Sequence, residues 1–112
     1  MTIFSWNRWN IDHIDRHGVG PSEAEYVVTH ARSPFPRKID DAKWLVWGQT
    51  PTGRYLQVIF IHPPDDEIDI DSLTLAGLIA YSGGEARVTY VIHAMDMDES
   101  QKGQLRKTQR IK

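Results

Sequence analysis

The 112-residue chain contains no cysteine. That absence excludes disulfides, thiolate metal sites and a cysteine nucleophile, and it suits a reducing cytoplasm, where the chain is expected to act. No apolar run approaches the roughly 20 residues that cross a bilayer, so no membrane association is expected. The opening MTIFSWNRWN has neither a basic n-region nor an apolar h-region, and it is read as part of the fold, not as a signal peptide. No repeat period is visible. There is no glycine-rich phosphate loop and no serine in a nucleophile elbow, which leaves P-loop and serine-triad chemistry without a basis.

What is present is ordinary for a globular protein: 40% hydrophobic and 25% charged residues. A chain this size fits one domain, here 1–112, and buries roughly two thirds of its unfolded surface. The formal net charge of −2 hides an asymmetry. Asp65, Asp66, Glu67, Asp69 and Asp71 form an acidic cluster, and it reads as solvated charge. Lys102, Arg106, Lys107, Arg110 and Lys112 make 100–112 a basic tail without an acid. Such an end attracts nucleic acid or an acidic partner, although for a terminal run a solvated tail is the simpler reading.

Helical signals come first. Trp6 to His17 reads as a helix, with Asn7 as its cap and Gly18 as a left-handed stop. The preceding Ile3 to Ser5 reads as extended. Gly20-Pro21-Ser22-Glu23 starts a second helix, which fades by Thr29 or His30. Ser33-Pro34-Phe35-Pro36 cannot continue it.

The period then changes to that of strands. Lys43 to Gly48 and Arg54 to Ile61 form a hairpin around the turn Thr50-Pro51-Thr52-Gly53. Arg87 to Ala94 is a further strand, on which simple alternation places Tyr90 and His93 on opposite faces. Between them, 62–86 is an acidic and apolar insertion, expected to be helical from Ser72 to Tyr81. Asp98 or Ser100 caps a last short helix with only Leu105 and Ile111 to bury. The class is therefore α+β.

Two constellations carry chemistry. His13 and His17 stand at metal-ligand spacing, but Ile14 occupies the position where such a motif places glutamate, and no third ligand is evident. No metal and no cofactor are expected. The other set is cationic: Lys43 and Arg54 near the ends of the hairpin strands, Arg87 at the start of the later strand, and His93 near its end. Metal-free RNA cleavage needs a base for the 2′-hydroxyl, an acid for the leaving oxygen, and cations for the charge growing at phosphorus. Histidine suits either proton role, and arginine suits phosphate.

Trp6-Asn7, His13-Ile14, Arg16-His17-Gly18-Val19, Pro21 and Glu23 to Glu25 together resemble the opening of the BrnT toxin family. Lys43 to Gly48, Gly53-Arg54 with the strand after it, and Tyr90 to Ala94 (YVIHA) are similar to that family's first hairpin and last strand. The resemblance implies a RelE-like fold: two N-terminal helices on a small antiparallel sheet of three to four strands, with a short C-terminal helix. It implies an endoribonuclease toxin of a type II toxin–antitoxin module that inhibits translation, in a hetero-oligomer with a cognate DNA-binding antitoxin. It points to His17, Arg54 and His93 as catalytic residues; Lys43 and Arg87 complete the set as RNA-binding residues. Met95 stands where the family pattern has an arginine, and a methionine cannot stabilise a phosphorane. A second reading is therefore a non-catalytic relative that binds a protein partner.

Overall fold

The computed structural model describes residues 2–84 and 86–110. Strand β1 (Thr2–Ser5) leads into helix α1 (Arg8–Asp15), followed by α2 (Pro21–Thr29). Strands β2 (Arg37–Lys38), β3 (Lys43–Gln49) and β4 (Tyr55–Ile61) come next. Two single 3₁₀ turns, Asp65–Glu67 and Ile70–Ser72, lead to α3 (Leu75–Ser82). Strand β5 (Arg87–Asp96) and helix α4 (Glu99–Arg110) close the described chain.

The α+β class stands, but the sheet differs from the expectation of three or four antiparallel strands. It has five strands in the order β1-β5-β4-β3-β2, and it is mixed. The β1 edge pairs in parallel with β5, Thr2 opposite Arg87 and Ser5 opposite Tyr90. A four-residue strand with no turn beside it carries little local signal, and its partner lies 85 positions away in the register Thr2↔Arg87. The hairpin β3–β4 is antiparallel from Lys43↔Ile61 to Gln49↔Tyr55.

Local chemistry explains where the helices start and stop. At α1, the Asn7 side chain accepts from the Asn10 N–H at 3.2 Å, and the Asn10 side chain accepts from the Asn7 N–H at 2.8 Å. The helix ends in a Schellman pair: Val19 N–H to Ile14 O at 3.2 Å and Gly18 N–H to Asp15 O at 2.9 Å. Gly18 has φ 69°, where a side chain is strained. Val19 and Ile14 are both buried, as that motif's apolar contact requires. The segment Arg16-His17-Gly18-Val19 is thus first of all a helix stop. Helix α2 begins with Pro21, and Glu23 accepts from the Gly20 N–H at 3.0 Å. Glu99–Arg110, which takes in most of the expected basic tail at 100–112, is helical; Asp98 caps it through Gln101 N–H at 2.8 Å, and Leu105 is buried. Ile111 lies outside the described residues.

The core joins Ile14 of α1, Val19, and Ala24 and Val27 of α2 to Val46, Leu56, Val58, Phe60, Val91 and Ala94 of the sheet. Strand β4 alternates cleanly, with Leu56, Val58 and Phe60 buried and its odd positions only half-buried. Trp6 ties α1 to α2 by donating Nε1–H to Glu25 at 2.6 Å. Among the described residues, no helix is long and apolar enough to cross a membrane.

Helix α3 sits on β1 through Gly77. A Cβ there would lie 2.8 Å from Ile3 Cγ2 and 3.2 Å from Thr74 Oγ1. Ile3 is buried and β-branched, so it has little room to turn away. Gly77→Ala is expected to destabilise by about 1–2 kcal/mol, overpacking outweighing the gain in helix propensity. A urea midpoint equal to or above that of wild type would refute the close seating.

Candidate active site

The expected opposition of Tyr90 and His93 does not hold. On β4, Ile61 faces Tyr90, Phe60 faces Val91 and Ile59 faces His93, so Ile92 is the extra residue of a β-bulge. Tyr90 and His93 therefore share the sheet face of Ile59 and Ile61, while Val91 and Ala94 stay with the core strand residues. Alternation cannot reveal such a bulge, because it changes the count of residues by one.

The bulge aims His93 at α1. Trp9, His13 and His17 are four residues apart, one stripe of a helical turn and its continuation. His93 lies 5.2 Å from His17 and 5.8 Å from His13, ring centre to ring centre. His13 and His17 are 6.4 Å apart. The His13 ring stacks on Trp9 at 5.0 Å with the planes 4° apart, and Trp9 lies 6.3 Å from Tyr90. Tyr90 donates its hydroxyl to Asn7 Oδ1 at 3.0 Å, which fixes its ring against the start of α1. Trp9 remains 57% exposed, and His17 is exposed, so the cluster opens to solvent. It presents three imidazoles beside an aromatic surface.

Burial first, and then the nearby His17 and His13, hold the His93 imidazole below its ordinary value of 6.5. Near neutral pH His93 is therefore an unprotonated base. The sign for stability follows. The unfolded chain binds a proton at this position as pH falls through 6.5, while the folded chain resists it. The His93 contribution is thus constant above that value and turns unfavourable below it. Urea unfolding of wild type between pH 8 and 5 is expected to show a steeper acid loss than His93→Gln; parallel curves would contradict the half-buried, neutral imidazole.

Arg54 lies at the same corner but is differently engaged. Its Nε donates to Asp96 Oδ1 at 2.7 Å and its Nη2 to Asp96 Oδ2 at 3.2 Å, a bidentate pair. Nη1 donates to the Gly18 carbonyl at 2.7 Å and approaches Glu23 at 3.3 Å. Nη2 also reaches the His17 carbonyl at 3.2 Å. The hydrogen bond to Asp96 raises the Arg54 value and lowers that of Asp96, so both stay charged. The guanidinium clamps the turn after α1, the start of α2 and the end of β5 to one another. Its donors point at protein acceptors, not at open solvent.

Of the five residues singled out by sequence, His17, His93 and Arg54 meet at this corner. Lys43 and Arg87 do not. Lys43 faces Ile61 at the other end of β4, and Arg87 starts β5, six residues before His93 and so about 20 Å along the strand. Lys43 instead approaches Asp40 at 3.9 Å. Trp9 and Tyr90 carry no site role in the sequence reading, and His13 enters it as a metal-ligand candidate and as part of the family-like opening, not as a catalytic residue. The spacing Trp9-His13-His17 was the signal for a shared stripe. Among the described residues, no group of three or more histidine, aspartate or glutamate side chains is arranged to hold a metal ion. Met95 faces Gln57, on the same sheet face as His93.

Comparison of the chain with family models, with curated proteins and with solved structures yields no match.

Proposed function

We propose that this protein is an endoribonuclease toxin of a type II toxin–antitoxin module, cleaving RNA by metal-independent acid–base chemistry and inhibiting translation. The observation that carries this reading is the convergence of His13, His17 and His93 within 5.2–6.4 Å, with His93 neutral. In the proposed step His93 removes the 2′-hydroxyl proton, and the freed oxygen bonds to phosphorus. The bond from phosphorus to the 5′-oxygen breaks as that oxygen takes a proton from His17, the general acid of the step. The products are a 2′,3′-cyclic phosphate and a 5′-hydroxyl. His13 donates a ring N–H toward the phosphorus oxygens and offsets charge there. Arg54, committed to Asp96 and two carbonyls, acts by holding His17 in place. Lys43 and Arg87 would hold RNA further along the sheet. The resemblance to the BrnT pattern adds a cognate DNA-binding antitoxin as the partner that silences the site.

Inducible expression with bulk translation monitored tests the reading. Wild type is expected to arrest translation, and His17→Ala is not. Unchanged growth and translation with wild type would refute the toxin role in that host.

A second reading has its own observation. Arg54 is already engaged by protein acceptors, and Met95 stands where the BrnT pattern has an arginine, so neither position offers a free guanidinium to the phosphate. A binding module without catalysis would share this geometry. It predicts a stable complex with a partner protein and no RNA cleavage by the purified chain.

A further inference from the structure

Helix α3 reads Leu75-Ala76-Gly77-Leu78-Ile79-Ala80-Tyr81-Ser82, with no charged residue. A helix on a protein surface ordinarily turns a polar face outward. Here the small residues Gly77 and Ala80 are the buried ones, Leu78 is half-buried, and Leu75 and Ile79 face solvent. Leu75 is 75% exposed, Ile79 is 66% exposed, and Ile70 in the preceding turn is 55% exposed. Leu75 and Ile79 stand one turn apart on the same stripe. The seating of Gly77 on Ile3 prevents the helix from rolling these side chains inward.

The segment leading into this stripe carries charge of one sign, and Arg87 is the cation that shares a cavity with its first acidic residue, Asp65. No lysine or arginine occurs from Tyr55 to Ala86, while Asp65, Asp66, Glu67, Asp69 and Asp71 lie in the segment leading into α3. All five are exposed. Tyr81 donates its hydroxyl to Asp65 at 3.1 Å, which holds the first acidic turn beside the end of α3. An apolar stripe beside Asp66, Glu67, Asp69 and Asp71, none of which is ion-paired among the described residues, selects among occupants. Nucleic acid and anionic lipid are repelled. A second copy of this chain offers basic charge on α4, but the only aliphatic side chain among that helix's described residues, Leu105, is buried at 3% in its own core.

We propose that α3 and the acidic turns before it form a docking surface for a basic amphipathic helix of a different protein. Its aliphatic residues would cover Leu75, Ile79 and Ile70, and its lysines or arginines would pair with the carboxylates at the rim. Glu67 and Asp69 at one edge of this surface line a cavity with Asn7 and Tyr90, but the proposal does not depend on RNA cleavage.

The test uses the full chain and a fluorescein-labelled leucine–lysine peptide of about four helical turns, followed by fluorescence anisotropy. A leucine–glutamate peptide of the same length and pattern is the control. The leucine–lysine peptide is expected to bind, and the leucine–glutamate peptide is not. Leu75→Gln with Ile79→Gln should weaken binding by about tenfold or more at unchanged melting temperature, since both side chains are exposed. Asp66→Asn, Asp69→Asn and Asp71→Asn together should weaken it and reduce its salt dependence. Equal binding to the glutamine variant, or equal binding of the two peptides, would overturn the proposal. Concentration-dependent dimerisation that the glutamine variant abolishes would assign the face to a second copy and overturn it as well.

Discussion

His17→Ala and His93→Gln should each lower RNA cleavage by purified protein by about 100- to 10,000-fold, the range for removing a positioned proton-transfer group. The two should not be additive, because acid and base serve one displacement. Neither change should cost much stability. His17 is exposed, and its structural contact is the backbone carbonyl that accepts from Arg54, which alanine keeps. His93 is half-buried, and glutamine fills a similar volume there. The pH profiles carry the assignment further. With His93 as base, cleavage should fall on the acid side as His93 takes up a proton, at a pH below 6.5 because burial and its histidine neighbours depress its value. His17→Ala should lower the rate and leave the acid limb, which His93 sets, in place. Full activity in both variants would remove the site assignment. Loss of activity together with a lowered melting temperature would mean that the histidines are structural.

Arg54→Ala should have the largest effect on stability, about 2 kcal/mol, and should lower Tm by about 10 °C. Five contacts support that expectation: Asp96 on two oxygens, Glu23, and the carbonyls of Gly18 and His17. Alanine leaves Asp96 and Glu23 without their cation and strips two carbonyls in a turn that already holds Gly18 at φ 69°. Asp96 is well exposed, which keeps the figure well below the sum of charged hydrogen bonds. Arg54→Lys should recover only part of the loss, since an ammonium cannot span Asp96 and two carbonyls in one plane. The same variants separate a clamp from a phosphate ligand. A clamp predicts that activity falls with stability and returns when measured well below Tm. A phosphate ligand predicts activity lost at unchanged Tm.

Much of the local structure is legible in the residues themselves. Asn7 with Asn10, Pro21 with Glu23, and Asp98 with Gln101 are caps whose partners lie within three positions. Gly18 stops α1 because it alone there takes a positive φ without strain. The β3–β4 hairpin follows from two β-rich runs joined by Thr50-Pro51-Thr52-Gly53, where Gly53 has φ 90°. The boundaries moved by only a few residues: α1 spans Arg8–Asp15, and β4 begins at Tyr55, leaving Arg54 in the turn, free to reach back to α2.

The candidate site was legible only as a set of residue types. His17, Arg54 and His93 were identifiable as groups able to do phosphate chemistry, but their arrangement was not. Arg54 reads as a phosphate ligand until Asp96, 42 residues later, and Glu23, 31 residues earlier, are placed around it. His93 reads as facing away from Tyr90 until Ile92 is seen to be a bulge. The exposed aliphatic stripe of α3 has the same origin: an apolar run predicts burial, and only the Gly77–Ile3 contact decides which side goes in.

The sequence by itself determined the helix ends, the hairpin and the α+β class, because each depends on dihedral preference and hydrogen bonds between near neighbours. The tertiary structure alone decided the parallel β1–β5 edge, the meeting of three histidines, the engagement of Arg54 and the outward face of α3. Those depend on pairings between distant segments, whose register is set by the packing of the whole core and not by any one stretch of chain.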